Sequence, residues 1–527
     1  MLKKPTLAPL CFVLTLAIAT TAHAQSAAAP ADLDAYVERV MKTFDVPGVS
    51  LAVVKDGKVA LTKGYGVRKL GEPARVDAQT LFGIASNTKV FSAVALGLLV
   101  EEGKIAWDAP VIRYLPWFRL SDPYVTHELT VRDLLVHRSG LGLGAGDLLW
   151  WPASTYTRGE IARRLKDIPL ATSFRSAYAY DNVRYLIAGE VIEAISGRSW
   201  EDFVAERILK PVGMTGSNVR HSAAVSGANV ATTHAPVDGK VVAIKAFDSD
   251  NTNPAGGINA NAEDMAKWMM ELLSRGKLAN GTQLFSEQTY RQLTSIVTPL
   301  NVPQLPAELS VLQPNFLGYG LGLNVIDYRG RKALMHTGGL PGYVSKVFWI
   351  PDAALGVAVL TNQESSAAFD SIVYRVADQF LGAPPVDWAT AYVTVRDRQR
   401  AAMAAQEKKA TASRDASSTP SLPLNGYAGT YTDAWYGDIV IESVNGKLVM
   451  RFTRTPSLVG ELEHWQHDTF IVRWNDRELR ADAYVTFALN PDGTIDQAKM
   501  RAVSAETDFS FDFQDLLLKP ARKQGSR

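Results

Sequence analysis

One cysteine in 527 residues, Cys11, is the whole thiol inventory. It sits inside an apolar stretch, Leu10 to Ala19, that follows Lys3 and Lys4 and precedes Ala22-His23-Ala24. A positive start, a short apolar core and small residues before Gln25 predict a secretory signal peptide cut after Ala24. The exported chain would then hold no cysteine, which excludes disulfides, a thiol nucleophile and a cysteine metal site. Bulky Leu10 before Cys11, and most of the apolar core after it, argue against a lipoprotein signal. Long hydrophobic runs are also missing. A span needs about 20 apolar residues, and no later segment reaches that length without charges. The chain is therefore expected in the periplasm or the medium, with no stable membrane span after cleavage. Nor is one sign of charge in excess: 55 Lys and Arg stand against 54 Asp and Glu, and the net charge of +1 becomes −1 without Lys3 and Lys4. That balance gives no support for nucleic-acid binding.

What is there is an ordinary globular composition, 47% hydrophobic and 21% charged, in a chain long enough for more than one domain. Residues 49–67 place β-prone runs on both sides of Asp56-Gly57, a pair that accepts positive φ and predicts a tight hairpin. Asp32 to Phe44 predicts a short helix before it. Val90 to Val100 carries no charge and Gly103 follows, which predicts a buried helix opening at Ser86. Thr130-Val131-Arg132-Asp133 reads as a capping box opening a helix toward His137. Further helices are predicted over 182–195 and from Asn261 to Gly276. Strand character returns at 319–327, 332–336, 344–350 and 355–360, and Ala367 to Leu381 reads as helix. Strands at both ends of this region predict one antiparallel sheet with helices packed on it and a helical middle, an α/β (α+β) fold. Residues 398–423 pass from Ala, Lys, Gln and Arg to Ser, Thr and Pro, and read as a linker. From Tyr427 the pattern is all-β, with turns at Asn445-Gly446 and Pro491-Asp492-Gly493, and predicts a small barrel or sandwich of about 100 residues. The expected organisation is a signal peptide over 1–24, a main domain over 25–397, a linker over 398–423 and a β domain over 424–527.

Three short elements carry chemistry. In Ser86-Asn87-Thr88-Lys89, residues three apart share a helix face, and the helix N-terminus favours a developing alkoxide on Ser86. A desolvated Lys89 can lose its proton and act as base or relay. The same spacing recurs at Ser274-Arg275-Gly276-Lys277, but in a charged turn beside a glycine, so context selects Ser86. The second element is Tyr180-Asp181-Asn182, just before a helix. Close to Lys89, a Tyr180 phenolate would be favoured by the cation and could take the Ser86 proton. Asn182 can donate to a substrate carbonyl or hold Lys89. Taken alone, this element reads first as an aromatic and an Asn helix cap. The third is His336-Thr337-Gly338-Gly339, between two β-prone runs. Its glycines let a substrate backbone approach an edge strand, and a backbone N–H there can pair with that of Ser86 as an oxyanion hole. His336 can orient Tyr180 or contact substrate. Standing alone, the third element is a Gly-rich hairpin.

In this order and at these distances, the three elements resemble the serine hydrolases that comprise class C β-lactamases, penicillin-binding proteins and related esterases and D-amino-acid peptidases. Ser86 to Lys89 matches the Ser-x-x-Lys motif, Tyr180 to Asn182 the Tyr-x-Asn motif, and His336 to Gly338 the Lys/His-Thr-Gly motif. The hairpin at Asp56-Gly57, residues 135–141, Pro254-Ala255-Gly256-Gly257 and residues 351–362 look similar too, so the resemblance covers roughly residues 32–385. The tail resembles, more loosely, a lipocalin-like β domain appended to such hydrolases. The resemblance implies an antiparallel sheet plus a helical subdomain with the site between them. It implies Ser86 as nucleophile, Lys89 and Tyr180 in proton transfer, and the N–H groups of Ser86 and Gly339 as oxyanion donors. It implies no metal and no organic cofactor.

The β-lactamases of this group carry Lys where this chain carries His336. A lysine there keeps a permanent charge for a substrate carboxylate, whereas histidine is largely neutral at pH 7. The expected activity is therefore that of a peptidase for D-residue peptides or an esterase, acting on a small-molecule or peptide substrate, with slow β-lactam turnover. The competing readings are a β-lactamase, a non-catalytic binding protein of the same fold, and a ligand-binding barrel in the tail; an oligomer is compatible with each. Trp150 and Trp151 read as packing, Tyr178 as structural, and His137 as closing a turn. His464 and His467 lack carboxylates arranged as co-ligands, which argues against a metal site.

Overall fold

Asp56 and Gly57 both take positive φ, 52° and 70°, and turn strand β1 (Gly48–Lys55) into β2 (Lys58–Gly66). Along β1 the side chains alternate. Val49, Leu51 and Val53 enter one apolar cluster while Ala52 and Val54 enter another, so the strand is buried on both faces. The late strands, β3 (Thr298–Pro299), β4 (Leu317–Tyr319), β5 (Asn324–Tyr328), β6 (Arg331–Leu340), β7 (Tyr343–Ile350) and β8 (Leu355–Thr361), complete the sheet. Its order is β2-β1-β8-β7-β6-β5-β4-β3, antiparallel at every junction, with Ala52 opposite Ala358 joining the two chain ends. The sheet assembled from both ends of the domain is thus what the sequence predicts.

The computed structural model describes residues 31–224 and 227–521; the signal peptide read at 1–24 lies outside the described residues. Helices α1 (Leu33–Thr43) and, near the domain end, Ser366–Leu381 cover one face of the sheet. On the other lies α2 (Thr88–Glu101), buried at every position from Thr88 to Leu99. A helix apolar all round has to be central. Beyond it the helical middle includes α3 (Val183–Ser196), ended by Gly197 in the left-handed region, and α4 (Ala262–Leu273), capped by Asn261 accepting from the Asp264 N–H.

Two expectations are corrected. The Thr130 box forms: Thr130 N–H donates to Asp133 Oδ2 at 3.0 Å and Asp133 N–H to Thr130 Oγ1 at 3.3 Å. However, it opens only a 3₁₀ turn, Arg132–Leu135, because the chain must leave at His137, whose φ is 54°. The stretch 398–423 is not irregular throughout, since a helix runs from Trp388 to Ala412. Its Ala, Gln, Lys and Arg residues are strong helix formers, and only the Ser/Thr/Pro segment after it connects.

The C-terminal strands, from Gly429–Asp433 to Leu517–Pro520, close into an eight-stranded antiparallel barrel, with Thr432 opposite Lys519 sealing first strand to last. Its interior side chains are continuous with the apolar core of the helical middle. Among the described residues no helix is long and apolar enough to cross a membrane.

Candidate active site

The site is built on the turn that enters α2. Ile84 N–H donates to Ile258 O at 2.9 Å, Ala85 takes φ 49°, and residues 85–87 form one 3₁₀ turn before the helix proper. A left-handed alanine costs on the order of 1 kcal/mol, so neighbours must hold it. Ser345 Oγ donates to Ile84 O at 2.8 Å, and Asn87 Nδ2 donates to Ser345 Oγ at 2.8 Å. The strained turn projects Ser86 into a cavity of about 310 Å³ between the sheet, the helical middle and the barrel.

Lys89, one helical turn on, is fully buried, with Nζ 2.9 Å from Ser86 Oγ. The same nitrogen lies 2.7 Å from Asn182 Oδ1 and 3.0 Å from Ala255 O. Burial, the largest influence, outweighs the fields of Asp147 and Asp181 and brings the amine down to about 7. A neutral amine has two N–H donors and one lone pair. Two acceptors and one hydroxyl are what surrounds it: the ammonium donates to all three, and in the neutral form the two N–H groups meet the acceptors and the lone pair is left for Ser86.

Tyr180 OH donates to Ser86 Oγ at 2.9 Å. The phenolate expectation is corrected here: burial raises the Tyr180 hydroxyl well above its ordinary value, and Ser86 opposes this only in part. Tyr180 is a neutral donor; of the two groups in contact with Ser86, Lys89 is the one that burial lets lose its proton near pH 7. The Tyr180 ring rests on the His137 ring, 4.3 Å between centroids at 32°. Tyr178 packs against His137 and Tyr319 and makes no hydrogen bond to Ser86.

Asn182 precedes α3 at its N-cap, yet its side chain makes no capping bond. Its oxygen is spent on Lys89, and its nitrogen donates to Asp147 Oδ2 at 2.8 Å. Of the two uses expected for Asn182, the one observed is holding Lys89.

His336, Thr337, Gly338 and Gly339 all lie in β6. Pairing with β5 ends at Met335, so residues 336–340 form a free edge beside Ser86. Gly338 lets this edge approach the Ser86 turn: a Cβ there would stand 2.1 Å from Ile84 O. Gly339, by contrast, opens onto empty space and lines the cavity with Thr337. His336 does not bond Tyr180. Its Nδ1 lies 2.6 Å from Thr337 O and its Nε2 2.8 Å from Tyr319 OH, and burial brings it down to about 3. Both nitrogens are engaged, and the ring is an uncharged wall.

Trp150 and Trp151 are buried, and both also line the cavity. Ser274, the decoy, ends α4 with its hydroxyl bound to backbone carbonyls of Glu271 and Lys277. His464 Nε2 lies 2.9 Å from His467 O. No group of three or more His, Cys, Asp or Glu side chains arranged for a metal ion occurs among the described residues.

Sequence reasoning missed Asp147, Phe509, Ser510 and Asp512. Asp147 is fully buried, accepts from Trp150 Nε1 at 2.9 Å as well as from Asn182, and is raised to about 7 by burial. The Gly142–Gly146 run before it was the one available signal.

Residues 33–381 match the family described as Beta-lactamase, and residues 413–520 match a domain of unknown function, DUF3471. The chain belongs to the beta-lactamase family, whose members of this fold are serine hydrolases. It is 30% identical over 495 residues to Unguisins hydrolase ungD' of Aspergillus campestris (strain IBT 28561), covering 88% of either chain. The octameric penicillin-binding protein homologue from Pyrococcus abyssi shares the fold with a TM-score of 0.59 at 22% identity, over 93% of this chain and 99% of that one. D-amino acid amidase from Ochrobactrum anthropi SV3 shares it with a TM-score of 0.54 at 23% identity, over 67% of this chain and 98% of that one.

Proposed function

We propose that this chain is an exported serine hydrolase that cleaves an amide or ester bond through an acyl-enzyme on Ser86. The observation that carries the reading is the convergence of Lys89 Nζ and Tyr180 OH on Ser86 Oγ, each at 2.9 Å. Neutral Lys89 takes the Ser86 proton as Oγ bonds to the substrate carbonyl carbon. The N–H groups of Ser86 and Gly339 receive the oxyanion. Collapse expels the leaving group, which takes its proton from Tyr180; Lys89 ammonium, much the stronger acid, returns that proton to the phenolate. Water then attacks the acyl carbon and loses a proton to Lys89; collapse breaks the acyl–Oγ bond, Lys89 returns the proton to Ser86 Oγ, 2.9 Å away, and the acid product leaves.

A peptide with D-residues is the favoured substrate class, and an ester the alternative. Hydrolysis draws support from the relative named as a hydrolase of unguisins, and the amide preference from the D-amino acid amidase among the fold neighbours. Efficient β-lactam turnover is disfavoured because His336 offers no permanent charge for a substrate carboxylate. The Pyrococcus abyssi homologue, named as octameric, supports self-association as part of the reading.

The test is intact-protein mass spectrometry after a fluorophosphonate probe, with wild type beside Ser86→Ala. One adduct that maps to Ser86 and vanishes in the variant supports the reading. A folded wild type that takes no adduct from probes of decreasing size refutes it.

A further inference from the structure

We infer that the C-terminal barrel supplies part of the catalytic machinery: Ser510 and Asp512, on the loop before its last strand, are positioning residues that hold Asp147, and through it the Asn182 amide that aims Lys89 at Ser86. The inference rests on the proposed role of Ser86 as nucleophile.

Ser510 Oγ donates to Asp147 Oδ2 at 2.8 Å, the same oxygen that accepts from Asn182 Nδ2 at 2.8 Å. Asp512 grips the backbone on both sides of Asp147, accepting from Gly146 N–H at 2.7 Å and Leu148 N–H at 3.0 Å. Ser510, Asp512 and Asp147 are all buried, at 4%, 0% and 0% exposure. Polar side chains this deep persist only when hydrogen-bonded; Ser510 and Asp512 find these partners across the domain boundary, while Asp147 is held by Trp150 and Asn182 on its own side and by Ser510 from the barrel. The turn they hold is intrinsically loose, since Gly144 and Gly146 take φ of 68° and 84°. Gly144 is clasped from both sides. Its N–H donates to Tyr180 O at 2.8 Å, and a Cβ on it would stand 2.7 Å from Phe509 O. The Phe509 ring meets Tyr180 edge-on, 5.9 Å between centroids.

The chemical consequence lies in the Asn182 amide. An amide can be turned over, exchanging its oxygen and nitrogen. With Asp147 accepting from the nitrogen, the oxygen is forced toward Lys89. Turned over, the amide would present N–H groups to the amine and leave Lys89 one acceptor short, with its lone pair no longer committed to Ser86. The barrel loop thus selects the orientation in which Lys89 can act as base. The charged and titratable groups around this chain are Tyr180 and Tyr185, whose ring centroids lie 4.9 Å and 5.1 Å from Lys89 Nζ, Asp147 and Asp181, which favour the ammonium, Arg184 paired to Asp181, the uncharged His137 and His336, and Asp512 and Asp515, whose charges act on one another and, through Asp512, on Asp147. Losing the Ser510 hydroxyl removes a bond that favours ionised Asp147. The weaker negative field makes the Lys89 ammonium easier to deprotonate.

The experiment measures the second-order rate of fluorophosphonate labelling of Ser86 across pH, in full-length protein, for wild type, Ser510→Ala, Ser510→Thr and Asp512→Asn, with Tm alongside. Ser510→Ala and Asp512→Asn are expected to label about 10- to 100-fold more slowly at neutral pH, the scale of a misaimed catalytic group. The midpoint of the acid limb in Ser510→Ala should move to lower pH, and Ser510→Thr, which keeps the hydroxyl, should restore rate and midpoint. A wild type that labels at Ser86 while both Ser510→Ala and Asp512→Asn match it in rate and midpoint overturns this inference alone. So does a lowered Tm with unchanged labelling, which would make the loop merely structural. A wild type that does not label overturns the proposed function and this inference with it.

Discussion

Replacing Lys89 with arginine keeps a positive charge and a long side chain but removes the capacity to lose a proton near neutrality. Burial brings Lys89 from 10.5 to about 7. A displacement of that size corresponds to about 5 kcal/mol of preference for the neutral amine. At pH 7 about half of the Lys89 population is then unprotonated, against roughly one in 3,000 for an exposed lysine. If the neutral amine is the base, wild-type labelling or ester hydrolysis should rise about tenfold per pH unit in acid and level off above about pH 7. The sign follows from the direction of the shift: the competent form is the deprotonated one, so activity is lost as pH falls through the folded-state value. A guanidinium cannot reach that form, and Lys89→Arg should lose on the order of 10²–10⁴ in rate on the plateau above about pH 7, with the gap to wild type narrowing in acid. The assay is hydrolysis of an activated ester or, with no substrate in hand, the labelling rate of Ser86 by mass spectrometry. A profile that is flat from about pH 5.5 to 8.5, or a Lys89→Arg variant within about threefold of wild type, would refute the assignment of Lys89 as base.

Tyr180→Phe removes the neutral donor to Ser86 while leaving the ring stacked on His137, so kcat should fall about 10²–10³-fold with little change in Tm; a change confined to KM would mean that Tyr180 only shapes the cavity. Gly338→Ala forces a methyl to 2.1 Å from Ile84 O, a backbone atom, and should cost about 1–3 kcal/mol by thermal or urea unfolding as well as displacing the Ser86 turn. Gly339→Ala meets nothing within 4 Å and should leave Tm essentially unmoved; equal Tm losses in the two variants would contradict the packing account. Purified protein should hydrolyse a chromogenic cephalosporin far more slowly than an activated ester, and a reversed ranking would show that uncharged His336 is no obstacle to β-lactams.

Much of this molecule was legible in its sequence because the relevant physics is local. Asp56-Gly57 accepts positive φ wherever it sits, and the charge-free run from Val90 to Val100 has nowhere to go but the core. The spacing from Ser86 to Lys89 is one helical turn, so the amine meets the hydroxyl as soon as the helix forms. The free edge at 336–340 could not be read from the text, since it depends on where β5 stops pairing. The protonation of Tyr180 could not be read either: proximity to a lysine suggested a phenolate, but burial among Tyr178, His137 and the barrel loop dominates. The Thr130 box was legible and misleading, because a capping signal fixes how a turn begins and not how far it continues.

The barrel's part in the site is the clearest case of what tertiary structure alone decided. Asp508-Phe509-Ser510-Phe511-Asp512-Phe513 alternates like a strand with one wet face, yet it folds as loop and 3₁₀ turn and buries Ser510 and Asp512 against Asp147. Ser510 and Asp147 are 363 residues apart. No local propensity or motif spacing reports such a pairing. It exists because the barrel core and the helical core pack as one apolar body, and the polar groups trapped at their junction must satisfy one another. Sequence by itself determined most of the elements, the union of the domain's two ends in one sheet and the identity of Ser86, Lys89 and Tyr180 as candidates. Packing decided which of them hold protons, which way the Asn182 amide faces, and that a loop of the barrel reaches back to hold it there.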